Sequence, residues 1–387
     1  MNFESDKKEL LKGLVLVQGI AGRRTTLPIL SHVLMELEKD SLYLTGTDLE
    51  TGIRERISVN SHQEGKASVS AKKLYEIVRE LPDETIHMEK KENHWVIIKC
   101  GKSIFNLAGL DPDEFPSLPT YKEEYFTKIP NRVLLEMVER TVFAASNEET
   151  RHHLNGVFFL QVKQEGKDVL RTVATDGHRL AMIHREGFRI RGLEKGAILP
   201  KKGLLELKKM MGDKEEEGMV EAYFDKTHGY MRMGRSLMIL RLIDGEFPEY
   251  EQVIPKENDK KIRMQKDKIS ACLRRISTMA SERAEGIKLA VKDNLLEGLS
   301  FNQDFGDAKE EMEVAYEGPA FEVGFNARYL LEALTGMDTA EVWLELKDEG
   351  SPAMLRPVYA DGSSGAASSP FSMMPSDQLF IIMPMRL

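Results

Sequence analysis

Two cysteines, Cys100 and Cys272, are all that the 387 residues contain. They leave no disulfide framework and no thiolate metal cluster to consider, and both read as small buried apolar side chains. No uninterrupted apolar stretch approaches the roughly 18 residues of a membrane span. The N-terminus, MNFESDKKELL, is charged from the start and lacks the apolar core of a secretory signal, so the expectation is a cytoplasmic chain with no membrane partner. Positive charge is also in deficit: the net charge of −9 argues at first against a polyanionic ligand. Catalytic signatures are missing as well. Gly101-Lys102-Ser103 fails as a phosphate loop because Val96 stands where that motif needs its first glycine. No carboxylate pair has a spacing that singles out acid/base chemistry, neither cysteine has the setting of a nucleophile, and no cofactor is called for. Asp176, His178 and His184 are the one set with metal-binding chemistry, although side chains on an alternating strand need not face one point. A metal-dependent hydrolase centred on those three is the competing reading to a protein without catalysis.

What the chain does have is repetition. Lys72-Lys73 opens AKKLYEIVREL, and Lys201-Lys202 opens PKKGLLELKKM; Thr47-Asp48 recurs as Thr175-Asp176, and Phe115-Pro116 as Phe247-Pro248, all at a step of about 130 residues. A fainter third copy is marked by FNARYLLEAL from Phe325. Hydrophobic residues at 41% and charged residues at 30% describe a globular chain, and its length suits two to four domains. The expected division is 1–126, 127–257 and 258–387. Each copy reads as helix, strands, helix, strands: KKELLKGLVLVQGIA and AKKLYEIVREL in the first, NRVLLEMVERTVFAAS and the helix after Pro200 in the second, KDKISACLRRISTMAS and ARYLLEALTGM in the third. Two helices per copy packed on antiparallel strands make an α+β domain. TYKEEYFTKIP and VIPKENDKKIRM read as linkers, and the Gly-, Ser- and Pro-rich stretch from Gly350 to Asp377 as a long mobile loop.

The helices reverse the sign of the charge. Lys201, Lys202, Lys208 and Lys209 stand against Glu206, and Lys266, Lys268, Arg274 and Arg275 against Asp267; Lys72, Lys73 and Arg79 exceed Glu76 and Glu80 by one. A solvated face explains any one such helix. Recurrence at repeated positions points instead to a surface that faces phosphate. No zinc-finger spacing, RNP-like strand or recognition helix accompanies the charge, so the implied contact is with the backbone of duplex DNA, without sequence choice.

The strings TVATDGHRLA and LIDGEFPEYEQVIP together with the terminal IIMPMRL resemble the bacterial DNA polymerase sliding clamp family, the beta subunits of the replicative polymerase, along the whole chain. The resemblance implies a ring-shaped head-to-tail homodimer of six domains, helices inward and sheets outward, with no catalysis: a processivity factor. Its implied partners are the replicative polymerase catalytic subunit, clamp-loader subunits, and other polymerases and repair proteins that carry clamp-binding peptides. The family's peptide pocket carries over to Leu154; to Thr175, Gly177, His178, Arg179 and Leu180; to Pro248 and Val253; to Asn326 and Tyr329; and to Ile381, Ile382, Met383, Pro384, Met385 and Arg386. Aliphatic and methionine side chains there supply apolar surface, while Arg179, His178 and Asn326 are placed to orient a peptide's polar groups. Arg23 and Arg24 match a DNA-facing loop, and Phe105, Leu107 and Met279 fall at family dimer-interface positions. His152, His153, Gln252 and Glu148 depart from residue types common in the family, and the 350–377 segment is longer than the usual connection.

Overall fold

A computed structural model describes residues 1–21, 26–164, 166–212, 218–280, 285–359 and 378–386. Six α-helices occur among them: α1 (Lys7–Ile20), α2 (Ala71–Glu80), α3 (Asn131–Glu139), α4 (Lys201–Met211), α5 (Lys266–Ser277) and α6 (Ala327–Thr335). Their limits follow local chemistry. Asp6 caps α1 by accepting from the Lys8 and Glu9 amides at 2.9 and 3.1 Å. Pro200, with φ −63°, leads into α4, and Gly212, at φ 70°, ends it in a conformation that favours glycine. Leu81, held extended ahead of Pro82, stops α2. Each helix turns an apolar stripe inward, as with Leu204, Leu207, Met210 and Met211 of α4 or Ile269, Cys272, Leu273 and Ile276 of α5. Glycines permit close approach under α1: a Cβ on Gly46 would lie 2.7 Å from Val17 Cγ1, and one on Gly13 2.7 Å from Ile57 Cδ1.

The chain forms two compact units, 1–135 with 190–242, and 136–189 with 243–387, so the second repeat is divided between them. In the first unit a nine-stranded sheet runs from Gly109–Leu110 through Gly65–Ser70, His32–Glu38, Ser41–Thr47, Thr51–Ser58, Ser236–Arg241, His228–Met233 and Met219–Phe224 to Thr127–Pro130. The seam between repeats is an ordinary antiparallel ladder, with Thr51 opposite Leu240 and Gly52 opposite Ile239. A five-stranded sheet ending in Ser103–Leu107 completes that unit. In the second unit Gly156–Gln164, Lys167–Thr175 and Arg179–Glu186 continue into Gln378–Ile382, Ala353–Val358, Glu341–Leu346 and Lys260–Gln265. Its seam repeats the first: Arg179 lies opposite Ile382 and Leu180 opposite Ile381. A four-stranded sheet has Gly306–Glu313 at its edge.

The recurring Thr-Asp pair makes the same turn twice. Thr47 Oγ1 donates to the Thr51 carbonyl at 3.0 Å and accepts from the Leu49 amide, while Asp48 Oδ1 accepts from the Glu50 and Thr51 amides. Thr175 Oγ1 donates to the Arg179 carbonyl at 2.6 Å and accepts from the Gly177 amide, and Asp176 Oδ1 accepts from the His178 and Arg179 amides. The third residue of this turn takes positive φ, 90° at Gly177 and 73° at Leu49, so only the second copy carries the residue suited to it.

Three sequence expectations require correction. TYKEEYFTKIP ends in the strand Thr127–Pro130, and VIPKENDKKIRM in the strand Lys260–Gln265, because alternating Ile129, Ile262 and Met264 turn inward. Within the stretch read as a mobile loop, Ala353–Val358 is a strand paired on both sides, with Ala353 and Leu355 buried; glycine and proline around it masked a short apolar run. Residues 360–377 of that stretch lie outside the described residues.

Glu55 is buried in the first seam, opposite Ser236, whose hydroxyl donates to its carboxylate. Burial raises its pKa from the usual carboxylate value. A raised folded-state pKa makes its contribution full below the unfolded value and lost as pH rises through the folded one. Glu55→Gln should therefore melt higher than the parent at pH 7 and converge with it below about pH 4; a thermal melt series across pH checks both ends.

Candidate functional site

The expected peptide-pocket residues fall in the second unit, around its seam. Leu180 and Ile381 join Val173, Met182 and Tyr250 in one buried cluster, against which Phe158, Phe247, Ile254 and Leu379 pack. Phe158 and Phe247 stack with centroids 4.9 Å apart, and Arg171 Nη1 donates to Tyr250 Oη at 3.1 Å. These contacts pin the segment that carries Pro248 and Val253 over the sheet, leaving Val253 45% exposed. Leu154 is buried at the end of the 3-10 helix Glu149–Leu154, whose Arg151 donates to the Asp176 carbonyl at 3.4 Å. The tail is held by its backbone: the Met383 amide donates to the His178 carbonyl at 2.9 Å, and the Met385 amide to the Gly324 carbonyl at 2.8 Å.

Arg179 fastens these parts together. Its guanidinium donates to Asp176 Oδ2 at 3.0 Å and to the Phe143 carbonyl at 2.8 Å, pairs with Glu332, and lies 4.4 Å from the Tyr329 ring centroid. Asn326 Oδ1 caps α6, accepting from the Arg328 and Tyr329 amides. Two of the three groups expected to orient a peptide, Arg179 and Asn326, thus already hold the protein's own elements, and a ligand would compete for them; His178 is exposed. Leu154, Leu180, Ile381 and Ile382 are buried and shape the floor; His178, Pro248, Val253, Met383 and Arg386 are exposed. Phe247, Tyr250, Phe143 and Glu332 belong to the same assembly but were not singled out as site residues, although Phe247 lies in one of the repeated landmarks.

The first seam offers the same frame with a different surface. Gly52 stands where the second seam has Leu180, by register against Ile239 and Ile381 respectively. Leu118 covers it: a Cβ on Gly52 would lie 2.5 Å from Leu118 Cδ2.

Basic side chains occupy the outward stripes of the helices. Lys72, Lys73, Lys202, Lys208, Lys209, Lys268, Arg274 and Arg275 are exposed, whereas Lys201 and Lys266 are half-buried. Several have internal anions. Lys202 pairs with Asp48, Lys209 with Glu206, Lys72 and Lys73 with Glu76, and Arg275 with Glu310, while Lys266 Nζ donates to the Met337 carbonyl. Arg23 and Arg24 lie outside the described residues. Phe105 and Leu107 are on the edge strand Ser103–Leu107, beside Ile104 at 62% exposure. Met279 follows α5, near Gly306 at the start of the other edge strand, where Phe305 is 75% exposed.

The metal reading fails on geometry. Among the described residues no group of three His, Cys, Asp or Glu side chains could hold an ion. Asp176 is occupied by two amides and Arg179, and His184 is buried within its strand. Burial raises both thiols, Cys272 to about 11, the reverse of nucleophilic activation. Among the described residues no helix is long and apolar enough to cross a membrane.

Residues 1–119, 128–249 and 251–367 match the N-terminal, central and C-terminal domains of the DNA polymerase III beta subunit. The chain belongs to that family. The beta sliding clamp of Pseudomonas putida is 34% identical over 388 residues, and that of Escherichia coli strain K12 31% over 389, each covering 100% of both chains. The DnaN sliding clamp of Bartonella birtlesii, solved bound to griselimycin, superposes with a TM-score of 0.92 at 32% identity, and the corresponding Pseudomonas aeruginosa structure with 0.88 at 33%, both covering 100% of each chain. Family membership also excludes the hydrolase alternative, since the full-length relatives are clamps.

Replacing Asn326 by Ala removes the α6 cap and should cost about 1 kcal/mol of stability. Asn326→Asp, which preserves the acceptor, should stay within about 0.5 kcal/mol of the parent. Urea unfolding distinguishes the two, and equal losses would mean that the cap is not what Asn326 provides.

Proposed function

We propose that the chain is a noncatalytic DNA sliding clamp: two copies of domains 1–126, 127–257 and 258–387 close head to tail around duplex DNA in the cytoplasm. The observation that carries this is the end-to-end match to beta sliding clamps at 31–34% identity. The exposed basic stripes support it. Their partial neutralisation by Asp48, Glu206, Glu76 and Glu310 suits contacts to phosphate that are weak and exchangeable, because tight contacts would oppose sliding. The exposed edge strands Ser103–Leu107 and Gly306–Glu313 supply the surfaces for closure between copies, with Phe105, Leu107 and Met279 at the junction.

The groove on the second seam serves partners: the replicative polymerase catalytic subunit, clamp-loader subunits, and other polymerases and repair proteins with clamp-binding peptides. Tethering replaces repeated bimolecular encounters by an intramolecular one. The exposed Met383 and Val253 supply adaptable apolar contact above the Leu180–Ile381 floor.

Once loaded, the protein should persist on circular duplex DNA and leave linear duplex with free ends at the same salt. Equal retention on both would contradict topological linkage. Deleting Met383 to Leu387 should abolish binding of a clamp-binding peptide, measured by fluorescence anisotropy, while the strand Gln378–Ile382 keeps the fold within a few degrees of its melting temperature. Unchanged peptide affinity in the folded deletion would place the groove elsewhere.

A further inference from the structure

A second recess lies in the first unit and shares no residue with the groove. It encloses about 820 Å³ between the Lys122–Tyr125 segment, the Arg191–Gly196 loop and the Tyr223–Lys226 turn, a size suited to a short ligand segment. Its aromatic wall is fixed. Tyr125 meets Tyr223 edge-on at 5.7 Å, Tyr223 stacks on Tyr230 at 4.6 Å, and Tyr223 Oη accepts the Lys122 amide at 2.9 Å. The Arg191 guanidinium lies 3.5 Å from the Tyr125 ring centroid. Stacking of that kind holds the guanidinium plane while leaving its N–H donors available in the plane.

The charge around this recess is not balanced. Arg191, Lys195 and Lys226 have no carboxylate partner among the described residues, and Lys122 Nζ is directed to Tyr125, 4.9 Å from its ring centroid. The acids on the rim are Glu194 and Asp225, the latter also accepting from the Thr227 and His228 amides and from Tyr230 Oη, so Lys122, Arg191, Lys195 and Lys226 outnumber them by four to two. In a chain with 63 acidic and 54 basic side chains, unpaired cations collected over an aromatic wall mark an anion receptor with an apolar floor. We propose that this recess docks a short acidic peptide segment of a partner protein, its carboxylates on Arg191, Lys195 and Lys226 and an aromatic or aliphatic anchor against the partly exposed Tyr125, which the buried Tyr223 holds in place. A peptide fits better than a nucleic-acid strand, because Glu194 and Asp225 interrupt any continuous track for phosphates.

The test uses the full-length protein and a fluorescein-labelled hexapeptide of four aspartates around a Phe-Leu pair, followed by anisotropy. Saturable binding is expected, about tenfold or more tighter than for the same peptide with lysines replacing the aspartates. Arg191→Glu combined with Lys195→Glu should weaken it by about tenfold or more, and so should Lys226→Glu, an exposed turn substitution that leaves the Tyr125 stack intact. Deleting Met383 to Leu387 should leave it unchanged, which separates this recess from the groove. Equal affinity for both peptides, indifference to the Lys226→Glu change in a protein with an unaltered melt, or equally effective displacement by oligothymidylate would overturn the proposal, the last by assigning the recess to nucleic acid.

Discussion

An open strand edge exposes backbone N–H and C=O groups that require partners, and much of this structure follows from how the repeats supply them. Thr51–Ser58 of the first repeat is closed by Ser236–Arg241 of the second, and Arg179–Glu186 of the second by Gln378–Ile382 of the third. Each closure makes one sheet out of two repeats. That is why the compact units divide the second repeat instead of following the sequence period. Among the strands that remain at sheet ends are Ser103–Leu107 and Gly306–Glu313, with exposed Ile104 and Phe305 beside them. A second copy of the chain closes them in the proposed ring.

The two seams share a turn but differ in what the turn presents. In the first, Gly52 and Leu118 make a filled surface; in the second, Leu180 contributes to a floor bordered by exposed Val253 and Met383. The second oxygen of the turn aspartate follows this division, taken by Lys202 of α4 in the first and by Arg179 of the turn itself in the second. Arg179 then reaches Glu332 and Tyr329 on α6 and the Phe143 carbonyl, so the groove is braced from the central and C-terminal repeats together.

Much of this was legible from the sequence because the signals were periodic. Helix stripes, the Thr-Asp and Phe-Pro landmarks and the lysine pairs each recur, and the six described helices begin where apolar spacing placed them, although α3 ends at Glu139 and NRVLLEMVERTVFAAS continues as the 3-10 turn Val142–Ala144. Ala353–Val358 was hidden because its six residues stand among glycines and prolines, and Thr127–Pro130 and Lys260–Gln265 because charged neighbours obscured short alternation. The groove's composition came from a family likeness, not from pattern: Leu180 and Ile382 look like core in a sequence, and they are buried in the structure. Ion pairs between distant segments, such as Lys202 with Asp48 and Arg179 with Glu332, leave no local trace, so the moderation of the basic helices could be read only from coordinates.

Closure of the Ser103–Leu107 and Gly306–Glu313 edges by a second copy is the claim on which encirclement depends, and the molar mass of the full-length chain by sedimentation equilibrium tests it most directly. The account predicts twice the 43.9 kDa of one chain. A mass of 43.9 kDa maintained to high concentration would contradict it.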